Sequence, residues 1–123
     1  RQMCIRDSLP TMPSNLMRGI PNVKIREIIT PYDGSEIYDG KFGSACGLYT
    51  TMLVTSERIY FPQFGIKEDA VALQQIRSVT KRTVVPVQSS NVCHIGGGVR
   101  CMSWQVRGKN AEFFLNYLNK ISK

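Results

Sequence analysis

The sequence predicts a mainly β domain closed by one C-terminal helix, and three features predict it. Short β-prone runs separated by turn residues continue from Glu36 to Arg107 with no internal repeat. The run LVTSERIYFP, Leu53 to Pro62, has the alternation of a hairpin with one apolar face. From Asn110 onward the apolar residues change to steps of three and four, the period of a helix with one buried side.

At 123 residues the chain has the size of one domain and can bury a working core without staples. Its 42% hydrophobic and 20% charged content is that of a globular protein. No apolar run approaches the ~20 residues of a membrane-spanning helix, and no apolar centre behind basic residues marks a secretory signal. An intracellular setting, cytoplasmic or at the membrane periphery, is expected. The first eight residues, RQMCIRDS, resemble translated read-through of a sequencing adapter and are set aside with Cys4. Residues 1–22 are expected to be tail and linker: LPTMPSNLMRGIPN holds three prolines and no sustained period, with one helical turn at Asn15 to Arg18.

The domain is expected over residues 23–123. Ile25, Ile28 and Ile29 fit helical spacing, so Val23 to Thr30 reads as a short helix stopped by Pro31, with a turn at Tyr32 to Ser35. Strands follow over 36–107, near Glu36 to Ser44, Gly47 to Thr55, Arg58 to Gln63, Ala70 to Leu73, Ile76 to Arg82, Val87 to Ile95 and Val99 to Arg107. The closing helix spans 110–122, capped by Asn110, with Phe113, Phe114, Tyr117, Leu118 and Ile121 along one side. Burial of such side chains stabilises by ~1.5 to 3 kcal/mol each, so Phe114→Ala or Tyr117→Ala is expected to cost several kcal/mol.

In the first hairpin a Ser56-Glu57 loop sets Val54 opposite Ile59 and Met52 opposite Phe61 on the core face, with Leu53 opposite Tyr60 on the other. A second hairpin is expected at HIGGGVR, His94 to Arg100. A loop of Gly96 to Gly98 sets Ile95 opposite Val99, His94 opposite Arg100 and Cys93 opposite Cys101. A phosphate loop is excluded, because strand and not helix is expected to follow the glycines.

The string GLYTTMLVTSERIYFP is similar to the strand, Thr-x-x-Arg turn and aromatic-ending strand of GRAM domains and of short bacterial pleckstrin-homology-like (PH-like) domains. VALQQIRSVTKR resembles that family's short strand and Ile-x-x-Val strand, and SWQVRGKNAEFFLNYLNKI its last strand and closing helix. The resemblance covers Gly47 to Lys123. It implies a bent, seven-stranded antiparallel barrel or sandwich whose open end is plugged by the C-terminal helix.

Catalytic chemistry finds little support at this level. The single histidine, His94, would face away from its strand neighbour Cys93, which excludes a nucleophile and base pair there. Cys46, Cys93 and Cys101 lack zinc-ligand spacing, and the carboxylate pairs Glu68-Asp69 and Glu36 with Asp39 read as solvent-facing loop charge. No catalytic residue, metal or cofactor is expected, and the chain reads as a non-catalytic module. Cys93 and Cys101 remain a cross-strand pair that is either reduced or a disulfide.

The net charge of +7 is concentrated beyond Gln63, where nine basic residues stand against three acidic ones. Protein or peptide recognition through a sheet edge or the groove beside the helix is the leading expectation. Anionic lipid is the alternative, through Lys41, Lys81, Arg82, Arg100 and Arg107. The resemblance implies a Lys-x-(Lys or Arg) cluster on the first inter-strand loop for phosphoinositides, and Ser44 to Gly47 departs from it. Nucleic acid ranks third, because the aromatic residues are assigned to the core.

Overall fold

The computed structural model describes residues 12–20 and 22–122; the adapter-like tail with Cys4 lies outside them. The element order is α1 (Met12–Gly19), β1 (Ile37–Tyr38), β2 (Phe42–Gly43), a 3-10 turn (Tyr49–Thr51), β3 (Leu53–Val54), β4 (Arg58–Gln63), α2 (Asp69–Val79), β5 (Thr83–Gln88), α3 (Ser90–Cys93) and α4 (Lys109–Ile121). β1 and β2 form a small hairpin, and β3-β4-β5 form a mixed three-stranded sheet. The expected seven-stranded antiparallel barrel is not formed, and the fold is mixed α/β.

Two features overturn the barrel. β4 and β5 pair in parallel from Arg58↔Thr83 to Gln63↔Gln88, and parallel neighbours need a crossover, which α2 supplies. The strands expected at Ala70 to Leu73 and Ile76 to Arg82 are therefore mostly one helix. In DAVALQQIRSV the buried residues Ala72 and Ile76 stand four apart with Leu73 half-buried beside them, a helical stripe without Gly or Pro to interrupt it. The helix at Val23 to Thr30 is also absent: the segment has no regular structure, the Ile29 N–H donates to Gln75 Oε1 at 2.8 Å, and Ile28 and Ile29 pack against the core.

The first hairpin has the expected register, Leu53↔Tyr60 and Val54↔Ile59. Thr55 N–H donates to Arg58 O at 2.9 Å across the Ser56-Glu57 loop. Ile59 and Phe61 are buried as expected, whereas Val54 is exposed because β3 is an edge strand only two residues long. Pro62 lies past the end of β3, and Pro86 stands on the edge strand β5, where a missing N–H costs least.

The core is built on Tyr49, Ile59, Phe61, Phe64, Ala72, Ile76 and Cys93. Tyr49 stacks on Phe61 at 5.4 Å and tilts against Phe64 at 5.3 Å. Its hydroxyl donates to Asp69 Oδ1 at 2.7 Å. Asp69 Oδ2 also accepts the backbone N–H groups of Phe64, Gly65 and Ile66 at 2.9, 2.7 and 3.2 Å. Asp69 is thus a half-buried clamp at the start of α2 and not the solvent-facing charge expected from its loop setting. An acidic group in the first turn also meets the positive end of the helix dipole.

The C-terminal helix forms within one residue of its expected bounds, but it buries no residue. Phe113, Phe114 and Tyr117 are 68%, 42% and 54% exposed. Phe114 meets Phe113 and Trp104 edge to face, and nothing is plugged. The several-kcal/mol cost expected of Phe114→Ala or Tyr117→Ala, which presupposed burial, is withdrawn. Among the described residues no helix is long and apolar enough to cross a membrane.

Burial, followed by the hydrogen bond to Asp69, holds the Tyr49 hydroxyl above its ordinary value near 10. A raised value favours the neutral phenol in the folded state, so its contribution is complete below pH ~10 and lost as pH climbs further. Tyr49→Phe is expected to lower stability by ~1.5 to 3 kcal/mol at neutral pH. It should also flatten the fall in stability between pH ~10 and ~12. Urea unfolding across that pH range is the measurement.

Candidate active site

Ligand sites in sheets with parallel strands gather where the strands end and their loops begin. Here the carboxyl end of β4 leads into the turn clamped by Asp69, and the carboxyl end of β5 leads into α3. Ser89 continues the ladder, its N–H donating to Gln63 O at 2.7 Å, and its buried hydroxyl donates to Val87 O at 3.1 Å. The N–H of Cys93 then closes the short helix on Ser89 O at 3.0 Å.

The glycine run follows, and it is not a hairpin. No strand flanks it, so the pairings Ile95–Val99, His94–Arg100 and Cys93–Cys101 do not exist. Gly96 takes φ +83°, with Gly43 O 3.1 Å from where a Cβ would stand. Gly98 is buried against Thr51, and a Cβ there would overlap the Thr51 side chain. That close approach lets Arg100 N–H reach Thr51 O at 2.8 Å. Met102 N–H returns to Gly98 O at 3.3 Å and Ser103 N–H to Arg100 O at 3.2 Å. Cys101 sits inside these overlapping turns, with its neighbours on both sides anchored and its own thiol free and exposed.

Cys93 has a different partner. It is fully buried and joined to Cys46 by a disulfide across 47 residues, with Cα atoms 4.8 Å apart. Ala45 N–H donates to Cys93 O at 2.8 Å beside it. A loop of that length is worth about 4 kcal/mol on chain-entropy grounds, and here it ties the segment after β2 to the helix that launches the glycine loop. His94 lies on the same cluster, Nδ1 3.7 Å from Cys46 Sγ. The opposite-face argument applied to Cys93 and His94 lapses, because residues 90–93 are helical.

Of the basic residues expected as anion ligands, Arg82 and Arg107 line one cleft, which Lys41, Lys81 and Arg100 do not line. Lys41 is in the β1–β2 turn, 3.7 Å from Asp39 Oδ2. Arg82 donates to Ser56 O at 3.2 Å, and Arg107 to Gln105 Oε1 at 2.9 Å. Both line an open cleft of about 860 Å³ with Trp104 and Tyr60. Lys81 is exposed next to Arg82, and Arg100 is in the glycine loop.

A profile of the Porphyromonas-type peptidyl-arginine deiminase family matches residues 14–106. The chain belongs to this family. The match overturns the GRAM and PH-like resemblance, and with it the lipid-binding and non-catalytic readings, since this is a family of deiminases. A Lactococcus lactis subsp. lactis protein named "Putative agmatine deiminase" is 33% identical over 58 residues, 46% of this chain. The chain spans only 16% of that relative's length. No solved structure matches the chain. Cys101, three residues after a triple glycine and expected from the sequence to be reduced on a sheet face or paired with Cys93, is instead a free thiol in a loop.

Gly98→Ala is expected to destabilise by ~1 to 3 kcal/mol through overpacking on Thr51 and to change the alkylation rate of Cys101. Gly19→Ala, at a position open to solvent, should do neither. Thermal denaturation and timed iodoacetamide labelling read out both.

Proposed function

We propose that this chain carries the nucleophile of a guanidinium deiminase, with Cys101 as the attacking residue. The observation that supports it most is the free, exposed Cys101 thiol held in backbone-anchored turns beyond the carboxyl end of the parallel strand pair, in a chain of a deiminase family.

Deimination exchanges one guanidinium nitrogen for oxygen: one guanidinium and one water become one ureido group and one ammonium. A guanidinium carbon is resonance-stabilised, so water is a weak nucleophile toward it, and a thiolate is intrinsically far stronger. Attack by the Cys101 sulfur forms a C–S bond and a tetrahedral carbon. Collapse breaks one C–N bond, and the departing nitrogen takes a proton and leaves as ammonia. Water then adds to the same carbon, and its collapse breaks the C–S bond, releasing the ureido product and the thiol. Residues 94–111 contain no carboxylate, so the acidic groups that a planar cation calls for come from outside this loop.

The chain is to be incubated with agmatine, free arginine and an arginyl peptide, with ammonia and ureido product measured. Turnover of at least one is expected, falling roughly 10³-fold or more in Cys101→Ser, and mass spectrometry should find on Cys101 a substrate adduct that has lost ammonia. Turnover that survives Cys101→Ser, or none with any of the three, would count against this reading.

A further inference from the structure

The sulfurs of Cys46 and Cys93 and the imidazole of His94 lie within 4.8 Å of one another, although 47 residues separate the two cysteines. Nothing in guanidinium chemistry at Cys101 calls for this second cluster. We propose that it is a redox-gated site for a soft divalent metal ion of the zinc class.

The ligand chemistry is that of such an ion: two thiolates and an imidazole favour zinc-like metals over magnesium or calcium. The Cys46 Sγ to His94 Nδ1 distance of 3.7 Å is close to the ~3.5 Å edge of a tetrahedron built from Zn–S bonds of ~2.3 Å and Zn–N bonds of ~2.0 Å. That pair is already spaced for a shared ion. Two adjustments complete the set on the same geometry: the sulfurs part to ~3.8 Å and the imidazole closes on Cys93 to ~3.5 Å, and the half-buried Cys46 and exposed His94 are free to turn where the fully buried Cys93 is not. A cleft of about 330 Å³ lined by Glu36, Ile37, Tyr38, Ser44 and His94 opens beside the imidazole, and water or the Glu36 carboxylate would reach the fourth position from it.

The disulfide is the closed state. An external dithiol opens it by supplying two electrons: the S–S bond breaks, each sulfur takes a proton, and the dithiol leaves as its own disulfide. The divalent ion then displaces both thiol protons and binds the two thiolates and Nδ1. Either state cross-links the segment after β2 to α3, so the metal restores the tether that reduction removes. Such a site keeps the approach to the glycine loop fixed in reducing and oxidising surroundings alike.

The test uses the full chain with Cys4→Ser and Cys101→Ser, leaving only Cys46 and Cys93. The disulfide is opened with a phosphine, which becomes its oxide with oxygen from water, and cobalt(II) is the spectroscopic probe. One equivalent is expected to give thiolate-to-cobalt charge transfer with tetrahedral visible bands, displaced by zinc, and the oxidised chain should give neither. His94→Gln, at an exposed position, should weaken binding by about tenfold or more. Zinc should raise the melting temperature of the reduced chain but not of its Cys46→Ser variant. A reduced chain with no charge-transfer band and no rise in melting temperature overturns the site, and a band unmoved by His94→Gln overturns the three-ligand assignment.

Discussion

The carboxylate of Asp69 is the constraint on which the rest of the structure depends. It accepts three consecutive backbone N–H groups from the turn after β4 and the hydroxyl of Tyr49. One side chain therefore starts α2, fixes the chain reversal that leads into it and anchors the ring at the centre of the core. Of the groups it satisfies, the Tyr49 hydroxyl and the Phe64 N–H are partly buried and would each cost ~1 to 3 kcal/mol without a partner. Because α2 starts where it does, β5 returns parallel to β4, and the loops at the carboxyl ends of both strands share one edge of the sheet.

What that edge presents is a cysteine whose surroundings are made of backbone. Thr51 lies between the Tyr49 anchor and β3, so the core ring, the first hairpin and the glycine loop are joined through one residue. The absence of a side chain on Gly98 turns this join into a hydrogen bond between Arg100 and Thr51. The Cys46–Cys93 disulfide holds the same loop from its other end. Main-chain contacts on both sides hold Cys101 in place while its own thiol is left free, which is what the proposed attack on a planar, delocalised carbon would require.

The exposed stripe of α4 belongs to the same picture. From the sequence, a helix with Phe113, Phe114, Tyr117, Leu118 and Ile121 on one side is expected to plug a barrel, and no barrel exists to receive it. Its period was legible because helical spacing is local. Its partner was not, because periodicity says that a side is apolar and nothing about what lies against it. The same limit explains the strands assigned inside α2: Val71, Leu73 and Ile76 satisfy a short strand pattern as readily as a helical one, and the arbiter is Asp69, whose partners lie in the preceding turn and in Tyr49.

By itself the sequence determined the first hairpin and its register, the last helix within one residue, and the basic balance of the second half. Each is set by neighbours a few positions apart, where alternation, helical period and charge act directly. Tertiary structure alone decided the parallel pairing of β4 with β5, the choice of Cys46 over Cys101 as the partner of Cys93, the gathering of His94 onto that pair, and the seating of Gly98 on Thr51. These are contacts between segments some 25 to 48 residues apart, where many pairings satisfy the same local pattern. The one that buries Tyr49, Phe61 and Phe64 together while leaving no buried side-chain polar atom unpaired among the described residues is the one adopted.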